Sequence, residues 1–445
     1  MASVEDNNTP DLVNPSRGFG TLAKLPNELL DRVFKEAHTP GRPVGPLSRD
    51  LLPFQRRAWY GEVDVEGDGR IGAFVRTVIE HPEYGPLVGE LRMRTLEWSD
   101  GRGDPDLPSN QALIAFFTNL SVASVVSLSG PLRLIVPLLS ERTSLPELLP
   151  SLRVLCLSSE WDGWTSLHDP SHWAFFSSRP LLYNISISTS SLQSMQRAPP
   201  RTSPSSLSFT HVTRLSLDDL FEVSTSRTFL SHFPSLTHLS LTNRASDPHF
   251  VELLSGVQHP SLLQGLSLSA SKSLRRRRSW SIAEALPAFS GLTTFHLQNG
   301  YDAVSPSFFD ALRRLPLRTL SLGRTFSVSG SSLIDLVSSG TQKKHPTLSL
   351  LVLDIVHAAC GTSMGLCGPV YDPLTTLYYL HDDWELPEWP ETCTADDVRE
   401  LVVAGKRGGV QVRGSAVEAL EVEDAWEEEE RLLDDFGREL NDLTE

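Results

Sequence analysis

From residue 152 to residue 353 the chain repeats one arrangement of apolar positions, L-x-x-L-x-L, separated by more polar stretches. Leu152/Leu155/Leu157, Val212/Leu215/Leu217, Leu236/Leu239/Leu241, Leu263/Leu266/Leu268, Leu317/Leu320/Leu322 and Leu348/Leu351/Leu353 carry it clearly. Leu182/Ile185/Ile187 and Leu292/Phe295/Leu297 are near matches, and Val88/Leu91/Met93 and Ala123/Val126/Leu128 extend the series toward the N-terminus. The central positions, from 91 to 351, follow at steps of 35, 29, 30, 30, 24, 27, 29, 25 and 31 residues. The last two apolar residues of each copy are two apart, the period of a strand with one buried face. Between copies, "HFVELLSGV", "SIAEALPAF", "PSFFDALRRL" and "SSLIDLVSS" place apolar residues at the three and four residue steps of short helices.

A unit of strand, turn, helix and turn has one apolar side and cannot fold alone, so neighbours must stack. The period and the apolar spacing are those of a leucine-rich repeat. The expected fold class is therefore α/β: a solenoid of about ten repeats over residues 67–360, with a parallel sheet on its concave side. The regular motif's asparagine is missing, since Leu220, Arg244, Gly300 and Thr325 stand in its place in four repeats, and an irregular solenoid follows. Residues alternating with the buried leucines face outward. They form a candidate binding row of Arg92, Arg94, Arg214, Asp218, His238, Thr242, His296 and Gln298, interleaved with Ser186, Ser216, Ser240, Ser267 and Ser321. Loop insertions are expected near 191–209, rich in Ser and Pro, and near 269–280, where Lys272 and Arg275 to Arg278 read as a solvated loop or a nuclear-import signal.

Ahead of the repeats, "LAKLPNELLDRVFKEA" (21–36) has Pro26 at a first helical position, where its missing N–H costs nothing. Leu25, Leu29, Leu30, Val33, Phe34 and Ala37 make an apolar stripe beside Asn27, Glu28, Asp31, Arg32 and Lys35. The stripe fits a neighbouring helix, in this protein or in a partner. The stretch resembles the F-box, whose first helix runs Leu-Pro, an acidic residue, Leu, then an Ile/Val-Phe pair; Leu25, Pro26, Glu28, Leu29, Val33 and Phe34 take those positions. "PLSRDLLPFQRRAWYGEV" is similar to the degenerate second half of fungal F-boxes, and "HTPGRPVG" is an insertion between the two. An F-box-like segment at 21–66, after an N-terminus at 1–20 expected to be disordered, gives the architecture of F-box/leucine-rich-repeat proteins. The resemblance implies a non-catalytic substrate receptor of a Skp–cullin–F-box ubiquitin ligase. Leu25, Pro26, Leu29, Val33 and Phe34 would enter the groove of a Skp-family adaptor, and the repeats would hold a protein target. The alternative is a repeat scaffold outside any ligase, its first helix capping the solenoid.

Charge narrows the partners. The formal net charge is −16, which opposes binding to a phosphate backbone, so no nucleic-acid partner is expected. Residues 421–445 hold twelve Asp or Glu against Arg431 and Arg438, so the acidic tail or helix at 422–445 dominates the balance. No apolar leader or run of eighteen apolar residues occurs, and a cytoplasmic or nuclear protein without a membrane partner is expected. Cys156, Cys360, Cys367 and Cys393 form no Cys-x-x-Cys pair, so neither a disulfide framework nor a zinc site is indicated, and no metal or cofactor is expected.

Other motifs lack part of their chemistry. Ser363 is central in Gly-x-Ser-x-Gly with Asp372 and His381 after it, yet Gly and Pro follow where a nucleophile elbow needs a helix, so a serine hydrolase ranks third among the functions. "DVEGDGRIGAFV" mimics a calcium loop but has Val75 where the bidentate Glu belongs, which leaves a turn before a helix. His168 and His172 flank Pro170, which breaks the helix their spacing would need. "TADDVRELVVAGKRGGVQVRGSAVEALE" reads as a helix, a glycine stop and a short strand in a C-terminal cap at 361–421.

Overall fold

A computed structural model describes residues 26–27, 29–30, 33, 51–94, 108–121, 125–131, 134–135, 148–159, 175–189, 208–218, 229–243, 250–270, 282–298, 306–323, 330–339, 343–353, 395–418 and 420. The chain divides into two compact units, Met1–Leu155 and Cys156–Glu445. Each is a strand and helix repeat.

In the first unit, Asn27, Leu29, Leu30 and Val33 are helical, and the N–H groups of Leu29 and Leu30 both reach the Pro26 carbonyl at 3.0 Å. Leu30 is buried with Leu51 in a small core of their own, against which Phe54 and Ala58 pack. Phe54 and Ala58 belong to α1 (Leu52–Gly61). There follow β1 (Glu62–Glu66), α2 (Asp68–Glu80), β2 (Glu90–Arg94), α3 (Asn110–Ser121) and β3 (Ser127–Pro131). β2 pairs parallel with β1 on one side and β3 on the other. The two helices pack on each other through Phe74 against Phe116 at 5.7 Å and the Asn119 amide on the Val78 carbonyl at 3.1 Å.

The register of the first unit corrects two readings. Leu91 pairs with Leu128, and Val125 and Leu128 are fully buried, so the third copy is Val125/Leu128/Gly130 rather than Ala123/Val126/Leu128. Gly130 hides the pattern in the sequence, because Met93 fills the space a side chain would take: a Cβ there would lie 3.3 Å from Met93 Cε. The segment read as a turn before a helix is strand from Asp64 to Glu66, with Val63 and Val65 beside Leu91 and Met93. Gly67, at φ 94°, then turns the chain into α2 while its N–H bonds the Arg94 carbonyl at 2.8 Å.

β4 (Val154–Ser159) crosses the boundary, and in the second unit come β5 (Asn184–Thr189), β6 (Arg214–Asp218), β7 (His238–Asn243), α4 (Phe250–Leu254), β8 (Gly265–Ala270), α5 (Ile282–Ala285), β9 (Thr294–Gln298), α6 (Pro306–Arg313), β10 (Thr319–Leu322), α7 (Gly330–Val337), β11 (Leu350–Leu353), α8 (Ala395–Gly408) and β12 (Gln411–Arg413). From β5 to β12 every strand pairs parallel with the next. Ile185, Leu215, Leu239, Leu266, Phe295, Leu320 and Leu351 stand side by side in that register, each buried. Removing each such side chain from water contributes roughly 1.5–3 kcal/mol, which is what fixes the register.

A hydrogen-bond ladder joins successive repeats at the strand entries. The carbonyl just ahead of a strand accepts two successive N–H groups from the next repeat: Thr213 takes those of Thr237 and His238, Thr237 those of Gln264 and Gly265, and Gln264 those of Thr293 and Thr294. Where the next repeat offers a hydroxyl it adds a third bond, as Thr237 Oγ1 does to the Thr213 carbonyl at 3.0 Å, Thr293 to Gln264 at 3.1 Å and Ser349 to Arg318 at 3.0 Å. Backbone groups that would be orphaned at the strand entries are satisfied this way.

No helix among the described residues is long and apolar enough to cross a membrane. Ser363 with Asp372 and His381, the His168/His172 pair, Cys360, Cys367, Cys393 and the tail at 422–445 lie outside the described residues.

Candidate functional site

The exposed face of the second unit's sheet is built from the residues between the leucines. Strand register sets them in rows that run across the sheet, with neighbours in a row about 4.8 Å apart. One row runs Asn184, Arg214, His238, Gly265, Thr294, and the next runs Ser186, Ser216, Ser240, Ser267, His296, Ser321. Four of the predicted residues, Arg214, His238, Asp218 and Thr242, thus form two neighbouring pairs on β6 and β7. His296 and Gln298 on β9 face Ser267 and Ser269 of β8. Ser321 departs from the expected exposed row: it is buried at 3% exposure.

Within these rows lies a depression of about 260 Å³, lined by Asn184, Arg214, His238, Gly265, Thr294 and His296 together with the Ser216, Ser240 and Ser267 positions. Gly265 is the residue that sequence reading missed. A Cβ there would come within 2.6 Å of His238 Cδ2, so the imidazole lies over the bare backbone of the neighbouring strand. The signal was present as the one copy whose first outward position carries no side chain, but only the strand pairing shows whose ring uses the gap.

The chemistry of this pocket follows from its hydrogen bonds. Thr237 Oγ1 gives its single proton to the Thr213 carbonyl and lies 2.9 Å from His238 Nδ1, so Nδ1 is the N–H donor and Nε2 is left as an acceptor. Burial, and then the Arg214 charge, hold the His238 imidazole below its ordinary pKa, which keeps it neutral. Arg214 is exposed and makes no ion pair among the described residues.

In the first unit the arginines are differently placed. Arg94 forks onto Asp64 through Nε and Nη2, and Arg92 lies 3.4 Å from Glu90. Pairing with Asp64 raises the Arg94 pKa. Both guanidinium groups on this face already have carboxylate neighbours, which distinguishes them from Arg214.

The Leu-Pro helix is the second candidate surface. Leu29 is 47% and Val33 39% exposed, and Pro26 is exposed as well, while Leu30 is buried. Leu25 and Phe34 lie outside the described residues. One turn of the helix therefore faces two ways, Leu30 inward and Leu29 and Val33 outward.

Parallel strands in chain order, with buried leucines in register and helices returning between them, define a leucine-rich-repeat-like protein. No family model matches the chain, and no curated protein matches it. A solved structure that resembles it is the Toll-like receptor TLR13 in complex with ssRNA13, at 16% identity and a TM-score of 0.30, over 62% of this chain and 42% of that one. The chain thus spans less than half of that receptor chain, and the repeat assignment rests on the strand register itself.

Proposed function

We propose that the protein is the substrate-recognition subunit of a Skp–cullin–F-box ubiquitin ligase, a non-catalytic receptor. The observation that carries this reading is the outward pair Leu29 and Val33 on a helix whose Leu30 is already packed on Leu51, Phe54 and Ala58. An apolar helix face left exposed beside a seated one suits the helix-in-groove mode of partner binding. Leu25, Pro26, Leu29, Val33 and Phe34 enter the adaptor groove, and burying five such side chains contributes roughly 1.5–3 kcal/mol each before association costs. The repeat face then holds a protein target, raising its concentration beside the ubiquitin-charged enzyme, so that no residue of this chain need do chemistry.

Co-expression with the host's Skp-family adaptor tests this. Copurification is expected for the native chain and is expected to be lost in Leu29→Ser/Val33→Ser, two exposed positions whose change leaves the fold intact. Failure of the native chain to copurify would overturn the ligase reading and leave the repeat array as a scaffold.

A further inference from the structure

The depression on β5–β9 carries charge of one sign among the described residues. Among the described residues that line it, Arg214 carries the one formal charge and there is no Asp or Glu; hydroxyls, the Asn184 amide and two imidazoles share the lining with Leu215, Leu239 and Leu266, and most of the surface presented is apolar, which suits the methylene stem of an acidic side chain. Asp218, the nearest acid on β6, is four residues along the strand, about 13 Å from Arg214 at strand rise. A guanidinium that makes no ion pair among the described residues, with serines on the same and the neighbouring strands, is complementary to a carboxylate, for which its fork geometry is suited. His238 Nε2 adds an acceptor, and an extended peptide supplies the N–H to meet it. At about 260 Å³ the space takes a side chain with its flanking backbone and falls short of the roughly 300–1,000 Å³ of small-molecule sites.

We propose that this depression recognises a carboxylate side chain on an extended, acidic segment of a partner protein, with Arg214 holding the carboxylate and His238 the adjoining backbone N–H. This rests on the part of the proposed function that assigns target binding to the repeat face, and it is independent of adaptor binding. Gly265 makes the site possible, because any side chain there would push the His238 ring from its place.

The test uses the purified full chain and a fluorescein-labelled decapeptide of alternating Glu and Ser, read by anisotropy, beside the same peptide with Gln for Glu. The Glu peptide is expected to bind and the Gln peptide to bind at least about tenfold more weakly, and Arg214→Ala should cost about tenfold to a hundredfold. Gly265→Ala should weaken binding while circular dichroism and melting stay native; if that variant unfolds, Arg214→Ala, an exposed change, still decides the matter. Arg407→Ala on α8 should leave binding unchanged. Equal binding of the two peptides, native affinity in Arg214→Ala, or no binding of the Glu peptide would each overturn the proposal. Displacement of the peptide by single-stranded RNA, or a gain above tenfold on deleting residues 421–445, would also overturn it, the first by pointing to phosphate recognition and the second by making this chain's own tail the occupant. Adaptor copurification is read separately, so either idea can fail alone.

Discussion

His345 Nε2 donates to the Leu312 carbonyl at 3.0 Å, while its Nδ1 accepts the N–H groups of Leu348 at 3.2 Å and Thr347 at 3.3 Å. One buried ring thereby joins the end of α6 to the entry of β11. Both nitrogens are committed in the neutral tautomer. Burial lowers the pKa, the Leu312 bond opposes that, and Arg313 adds to it.

Acid should therefore loosen this region. The unfolded chain binds the proton near its ordinary pKa of about 6.5, before the folded chain does, so the contribution is complete above that value and is lost as pH falls below it. Denaturation midpoints measured down a pH series should drop through this window in the native chain. His345→Ala should lower the unfolding free energy at neutral pH by about 2 kcal/mol and flatten that drop. An unchanged pH profile in the variant would show that other groups cause the acid sensitivity.

The two faces of β7 should respond oppositely to truncation. Leu239 is buried and Ser240, its neighbour, lies on the exposed side. Leu239→Ala should cost about 2–5 kcal/mol in equilibrium unfolding, and Ser240→Ala within about 0.5 kcal/mol of nothing. Comparable losses at the two positions would contradict the sidedness of the sheet.

Alanine should have opposite signs at two glycines. At Gly408, the last residue of α8, a Cβ would overlap the Val337 carbonyl of α7, so the ordinary helical gain is outweighed and a loss of about 1–3 kcal/mol is expected. At Gly61, where nothing lies within 4 Å, alanine should be neutral or stabilise by up to about 1 kcal/mol. Thermal melts of both variants decide this.

The strands, their buried leucines and the repeat were legible because period-two alternation is a local property, carried by residues two apart such as Leu239 and Leu241. The Leu-Pro helix was legible for the same reason, through its three and four residue steps. Only tertiary structure decided what stands beside what. Pairing places residues 24 to 61 positions apart at neighbouring points of a sheet, and no local pattern states that Met93 fills the gap at Gly130 or that His238 lies over Gly265. The ladder of Thr213, Thr237 and Thr293 was equally hidden, since their hydroxyls satisfy carbonyls of the preceding repeat. The candidate row was thus predictable as a set of outward positions. That Arg214 makes no ion pair among the described residues while Arg94 pairs with Asp64 depends on which charges the folded chain brings within reach, because side-chain electrostatics act across strands while sequence periodicity acts along one.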